Sequence, residues 1–135
     1  MKSGNRRLRL VLALGLLAAI ATTVFVVAGG PQRLQLAVQS ELYGNVPSLR
    51  GCTDSPLKST VQAELARENP FLIRDDIYDA GAWSLDPCPD RAHIRVDFAG
   101  TDARRQLEAY LAGAGTWEPT SGWTWRGIPV SLINV

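Results

Sequence analysis

The hydrophobic pattern divides the chain into one unbroken apolar block and a longer region where apolar positions recur at short intervals. Leu10 to Ala28 runs for nineteen residues without a charge. As a helix, such a run rises about 28 Å, close to the ~30 Å hydrocarbon core of a bilayer. A cleavable secretion signal has a shorter apolar run, roughly 7–15 residues, before a small-x-small site. Val26-Val27-Ala28 and Ala19-Ile20-Ala21 match that site loosely, so cleavage is the competing reading to an uncleaved signal anchor over residues 10–28. Gly29, Gly30, Pro31 and Gln32 then form a short linker, and a domain over 33–135 follows.

Within that domain the periods change repeatedly. Leu34, Leu36 and Val38 alternate with other residues and predict a strand over Arg33 to Ser40. Gly44, Asn45, Pro47 and Gly51 mark Leu42 to Thr53 as a loop. Ser55 and Pro56 suit the N-cap and first turn of a helix in which Leu57, Val61 and Leu65 recur every four residues. Asn69-Pro70 ends it. "FLIRDDIYDAG" fits either a short strand and turn or a further helical turn. Ala82 to Asp86 and Ala92 to Phe98 read as a hairpin broken by Pro87, Pro89 and Asp90, with Ile94, Val96 and Phe98 on one face and His93, Arg95 and Asp97 on the other. A second helix starts at Thr101 and turns Ala103, Leu107, Tyr110, Leu111 and Ala114 inward, and Gly113 and Gly115 stop it. Two closing strands follow, "GTWEPTSGWTWRG" and "IPVSLINV". The expected class is α+β: an N-terminal transmembrane helix, then a small, mainly antiparallel sheet covered by two helices, with a ferredoxin-like βαββαβ order as the first expectation.

Charge supports the same division. Four of the fourteen basic residues (Lys2, Arg6, Arg7, Arg9) fall within residues 1–9, and all thirteen acids lie after residue 40. The remainder therefore holds ten bases against thirteen acids, a net −3. By the positive-inside rule the basic segment is cytoplasmic and the domain extracytoplasmic. An acidic domain with scattered arginines lacks the basic face that phosphate backbones require, so no nucleic-acid partner is expected. Outside the cytosol the two cysteines, Cys52 and Cys88, are expected to form a disulfide. Closing a loop of about 37 residues would contribute somewhat over about 3 kcal/mol. With one histidine and no Cys-x-x-Cys pair, a zinc site is not expected.

Candidate chemistry is sparse. His93 has no second histidine or thiol to work with, and it reads as an exposed strand residue. Asp75, Asp76, Asp79, Asp86 and Asp90 could serve a glycoside hydrolase or a loose calcium site, but turns and caps attract aspartate for their own reasons. No catalytic residue, metal or cofactor is expected. A pilin-like subunit also joins an apolar N-terminal helix to a small α+β domain with one disulfide. Here Gly4 is followed by Asn5-Arg6-Arg7 and no glutamate enters the apolar run; both departures count against a pilin-like structural subunit, which stays as the further alternative. The tryptophans remain. A turn over Pro119–Gly122 would set Glu118 opposite Trp123 and Trp117 opposite Thr124. Trp123 and Trp125 would then share one face and Trp117 the other. The function expected is a single-pass, membrane-anchored binding domain for a protein partner in an envelope complex. Its alternative is a cell-wall glycan binder using Trp123, Trp125 and Arg126.

Overall fold

A computed structural model of the chain describes residues 3–135, with side chains from residue 7 onward. Met1 and Lys2 of the basic segment lie outside the described residues. The chain divides into two compact units, residues 1–31 and 32–135.

The first unit is helix α1, Ser3–Val27. Its Arg7–Val27 portion is long and apolar enough to cross a membrane. The only side-chain hydroxyls in that portion belong to Thr22 and Thr23. Each donates back to the carbonyl four residues earlier, Ala18 and Ala19, at 2.8 Å. From Leu10 to Val27 the helix thus presents no unpaired side-chain hydroxyl, as a hydrocarbon environment demands, and its two arginines, Arg7 and Arg9, stand at the N-terminal end of the apolar stretch.

The second unit opens differently from the alternation pattern. Gly30–Val38 is helix α2, continued by a π turn over Gln39–Tyr43 that Gly44 closes at φ 70. The strand expected at 33–40 does not form. Three alternating apolar positions are a short signal, while Gln, Arg, Leu and Ala are all good helix formers. Leu36, 5% exposed, is the residue α2 buries.

Helix α3 is Lys58–Arg67, two residues later than Ser55 and Pro56 would place it. The chain before it is drawn to β2. Lys58 N–H donates to the Asp90 carbonyl at 2.7 Å, and Ala92 N–H donates to that of Pro56 at 3.1 Å. Residues 68–76 are turns and bends, then β1 (Ile77–Ser84) and β2 (Ala92–Phe98) form the expected hairpin, with β1 beginning earlier than Ala82. Helix α4 is Gly100–Ala114 and buries Ala103, Leu107 and Leu111. Strands β3 (Gly115–Glu118), β4 (Gly122–Trp125) and β5 (Ile128–Asn134) complete the sheet.

The five strands lie in the order β1-β2-β5-β4-β3. Every pairing is antiparallel except β2 with β5. The α+β class is as read from the sequence; a βαββαβ order would need the strand that α2 replaces. Ile94, Val96, Phe98, Val130 and Leu132, all under 2% exposed, face α3 and α4 and join Val61, Phe71, Leu111 and Trp125 in one core.

The reverse side of the sheet is partly covered by the segment 47–51. Ser48 N–H donates to Ser131 Oγ at 2.9 Å, Leu49 N–H donates to the Ser121 carbonyl at 3.0 Å, and Arg50 pairs with Glu118 at 2.9 Å. Gly122 sits beneath it at φ 95, where a Cβ would lie 3.0 Å from the Pro47 carbonyl oxygen. Thr124 and Ser131, which point away from the helices, are buried as a result. The expected Cys52–Cys88 disulfide then ties the end of this segment to the β1–β2 hairpin loop, with Cα atoms 6.1 Å apart.

Candidate functional site

The tryptophan hairpin pairs one residue away from the expected register. Trp117 faces Trp123, Glu118 faces Gly122, and Gly115 faces Trp125. The connection is Pro119-Thr120-Ser121, closed by Ser121 N–H to the Glu118 carbonyl at 3.2 Å and by Ser121 Oγ donating to Glu118 Oε2 at 2.6 Å. The one-residue change moves every β3 side chain to the other face. All three tryptophans therefore point to the helix side of the sheet, and the separation of Trp117 from Trp123 and Trp125 does not hold.

They form a gradient of exposure. Trp125 is 2% exposed. Its ring meets Phe71 edge-on at 5.5 Å, and its Nε1 donates to Tyr110 Oη at 3.1 Å. Gly115 lies opposite, so close that a Cβ would fall 2.1 Å from the Thr124 carbonyl oxygen. Trp123 is half-buried and meets Trp117 at 5.1 Å between centroids. Trp117 is 41% exposed. Arg126 rests 4.5 Å over the Trp125 ring and pairs with Glu64 (3.3 Å) and with Glu68, which fixes its charge on α3. Of the three residues expected to bind a ligand, only Arg126 is exposed, and its guanidinium is already held by two carboxylates.

Trp117 instead lines a groove that the sequence did not indicate, about 310 Å³, with Leu36, Ala37, Val46 and Pro119 as apolar walls and Arg33, Arg104 and Glu108 at its border. Arg104 joins the two helices there. It donates to the Ser40 carbonyl at 3.0 Å and pairs with Glu108 at 3.3 Å. The groove depends on α2 being a helix, which is why alternation-based reading missed it.

The acidic residues separate. Asp75 and Asp76 precede β1, Asp79 lies on it, and Asp86 and Asp90 follow it. Eight residues of strand span about 26 Å, too far for the two end pairs to act on one bond or one ion. Among the described residues no three His, Cys, Asp or Glu side chains are placed to hold a metal ion. His93 is half-buried rather than exposed, and its Nδ1 has no hydrogen-bond partner. Burial, and secondly the Arg95 charge, hold its pKa below the ordinary 6.5. On the same face Arg95 stacks 4.3 Å over the half-exposed Trp83 and pairs with Asp97 at 2.6 Å. Arg95 is thus taken up by Asp97 and Trp83, while His93 Nδ1 stays unpaired.

One apolar feature stands out from the domain surface. Leu72 and Ile73 are 53% and 73% exposed in the turn between α3 and β1. Buried Phe71 and Ile77 anchor either side of it. Asn69 braces the turn, accepting from Phe71 N–H at 3.3 Å and donating to the Ala80 carbonyl at 3.0 Å. Tyr78, 67% exposed, follows on β1.

Comparison with protein-family models, with curated proteins and with solved structures finds no match to this chain.

Proposed function

We propose that the chain is a single-pass, membrane-anchored protein whose extracytoplasmic domain works by binding a protein partner. The apolar Arg7–Val27 helix and the disulfide support the location, and the basic residues before the helix favour a cytoplasmic N-terminus. The observation that carries the binding function is the braced Leu72–Ile73 turn. Two adjacent aliphatic side chains held out between buried anchors cost water contact in the free protein and gain burial in a complex. The turn that presents them is tied at both ends, by Asn69 to Phe71 N–H and the Ala80 carbonyl and by Ile77 N–H to the Arg74 carbonyl at 3.2 Å, which lowers the ordering cost of binding.

The experiment is recovery of the full-length protein from membranes in mild detergent, beside a Leu72→Ser/Ile73→Ser variant with an unchanged circular dichroism spectrum. A partner that copurifies with the parent and is lost from the variant is the expected result. Repeated recovery of the parent protein alone, or equal recovery of the partner with the variant, overturns the proposal.

Glycan binding remains the second reading, and the Trp117 groove favours it. An exposed indole beside Arg33, Arg104 and Glu108 offers a stacking face with polar groups at its margin. Titration with soluble cell-wall glycan fragments should then change Trp fluorescence, and Trp117→Ala should abolish the change. No response at millimolar fragment removes this reading.

A further inference from the structure

Helix α2 carries apolar residues on two opposite sides. Leu36 is 5% exposed and turns toward the domain, where it lines the Trp117 groove. Leu34 and Val38 flank it in sequence at two residues' distance, which on a helix places them about 160° away. With Leu42 on the following π turn they repeat every four residues, and they are 59%, 40% and 72% exposed. Tyr43, next in sequence, is 59% exposed. Gln35 and Gln39 border the stripe on one side and Glu41 on the other. The exposed row of Leu, Val, Leu and Tyr lies on a helix whose packing on the domain goes through Leu36 on the opposite side, so the row makes no contribution to that packing.

Chain length identifies what can cover it. Only Ala28 and Gly29 separate the end of α1 at Val27 from the start of α2 at Gly30. The three Cα steps from Val27 to Gly30 reach about 11 Å at most. If α1 crosses a bilayer, the first turn of α2 therefore stays at or beside the headgroup layer. A short helix with an apolar stripe, a polar border and a tyrosine at its end is suited to that layer. We propose that α2 lies in the membrane interface, with Leu34, Val38 and Leu42 inserted among the lipid acyl chains near the headgroups, and that this seats the domain on the bilayer. The inference rests on the membrane-anchored reading of α1 but not on any protein partner.

The protein has no free cysteine, so single spin labels can be introduced at chosen positions. Full-length Leu34→Cys, Val38→Cys and Leu42→Cys variants, labelled and reconstituted in phosphatidylcholine–phosphatidylglycerol vesicles, would be compared with Gln35→Cys on the border and Arg105→Cys on exposed α4. Retention on the vesicles after alkaline washing first tests the anchor. Electron paramagnetic resonance then measures collision with oxygen, which concentrates in lipid, and with a water-soluble nickel chelate. The expected result is severalfold more oxygen than nickel collision at 34, 38 and 42, and the reverse at 35 and 105. Retained protein with nickel-accessible labels at all three stripe positions overturns the interfacial helix while leaving the anchor intact. Dipolar broadening at the three positions without oxygen enrichment would mean that a second copy covers the stripe, and it also overturns the proposal. Loss of the protein from washed vesicles removes both readings.

Discussion

Trp125 offers the sharpest test of whether the tryptophan hairpin is core or binding surface. A tryptophan buries up to about 250 Å², and at 25 cal/mol per Å² the 2% exposed ring of Trp125 corresponds to at most about 6 kcal/mol. Alanine keeps part of that burial and the site relaxes in part, so Trp125→Ala is expected to cost about 3–5 kcal/mol. A domain of this size loses about 4 °C or more in Tm per kcal/mol, so the fall should exceed about 12 °C. Two companions divide the effect. Tyr110→Phe keeps the packing against Phe71 but leaves the buried indole N–H, 3.1 Å from Tyr110 Oη, without an acceptor. That should cost about 1–3 kcal/mol. Trp117→Ala removes a 41% exposed ring and should cost about 1–2 kcal/mol or less. Far-ultraviolet circular dichroism against temperature and urea, in detergent solution of the full chain, reads all three. The reasoning is refuted if Trp125→Ala costs under about 1 kcal/mol, or if Trp117→Ala proves as damaging as Trp125→Ala.

Three further outcomes are expected. Cys52→Ser/Cys88→Ser, which opens a loop with a sequence separation of 36, should lower the stability measured in urea by about 3–4 kcal/mol, and adding reductant to the parent should reproduce the loss. Gly122→Ala forces a side chain into φ 95 and against the Pro47 carbonyl, so chemical denaturation should show a loss of about 1–3 kcal/mol; a neutral result would mean that segment 47–51 is not fixed on the sheet. His93 has its pKa lowered by burial and by Arg95, so the unfolded chain binds its proton more readily. Stability is therefore complete above the ordinary 6.5 and declines as pH falls below it toward the folded value. Urea midpoints between pH 7.5 and 5 should show this slope, and His93→Gln should flatten it.

Strong, long patterns in the sequence were readable: the apolar run of α1, the β1–β2 alternation, the cysteine pair, and the middle of each helix face, though Leu57 falls before α3 and is 46% exposed, and Ala114 at the end of α4 is exposed. Two failures came from signals too short to discriminate. Leu34, Leu36 and Val38 satisfy period two, but Leu34 and Val38 also stand four apart, and helix-forming Gln and Ala between them decided the outcome. In the hairpin, "EPTSGW" accommodates a loop of three or four residues. The positive φ of Gly122 and the Ser121–Glu118 bonds select three, and that single residue brings Trp117 to the side of Trp123. The site candidates moved with those errors. The groove under Trp117 needs both the helix and the corrected register. The exposed Leu72–Ile73 turn was in plain view as two apolar residues before "RDD", but nothing local tells a buried Phe71 from its exposed neighbours; only its contacts with Tyr110 and Trp125 do.

The placement of β5 bears on how such a domain is made. It is the last strand in sequence, yet it sits in the middle of the sheet, paired with β2 on one side and β4 on the other. Until β5 arrives, the β1–β2 and β3–β4 hairpins have no strand between them, and Val46 lacks the Leu132 backbone it bonds in both directions. A chain in which β5 is not yet placed would thus hold two separate half-sheets. Folding is then a late, single closure, vulnerable to any change that removes Ile128–Asn134.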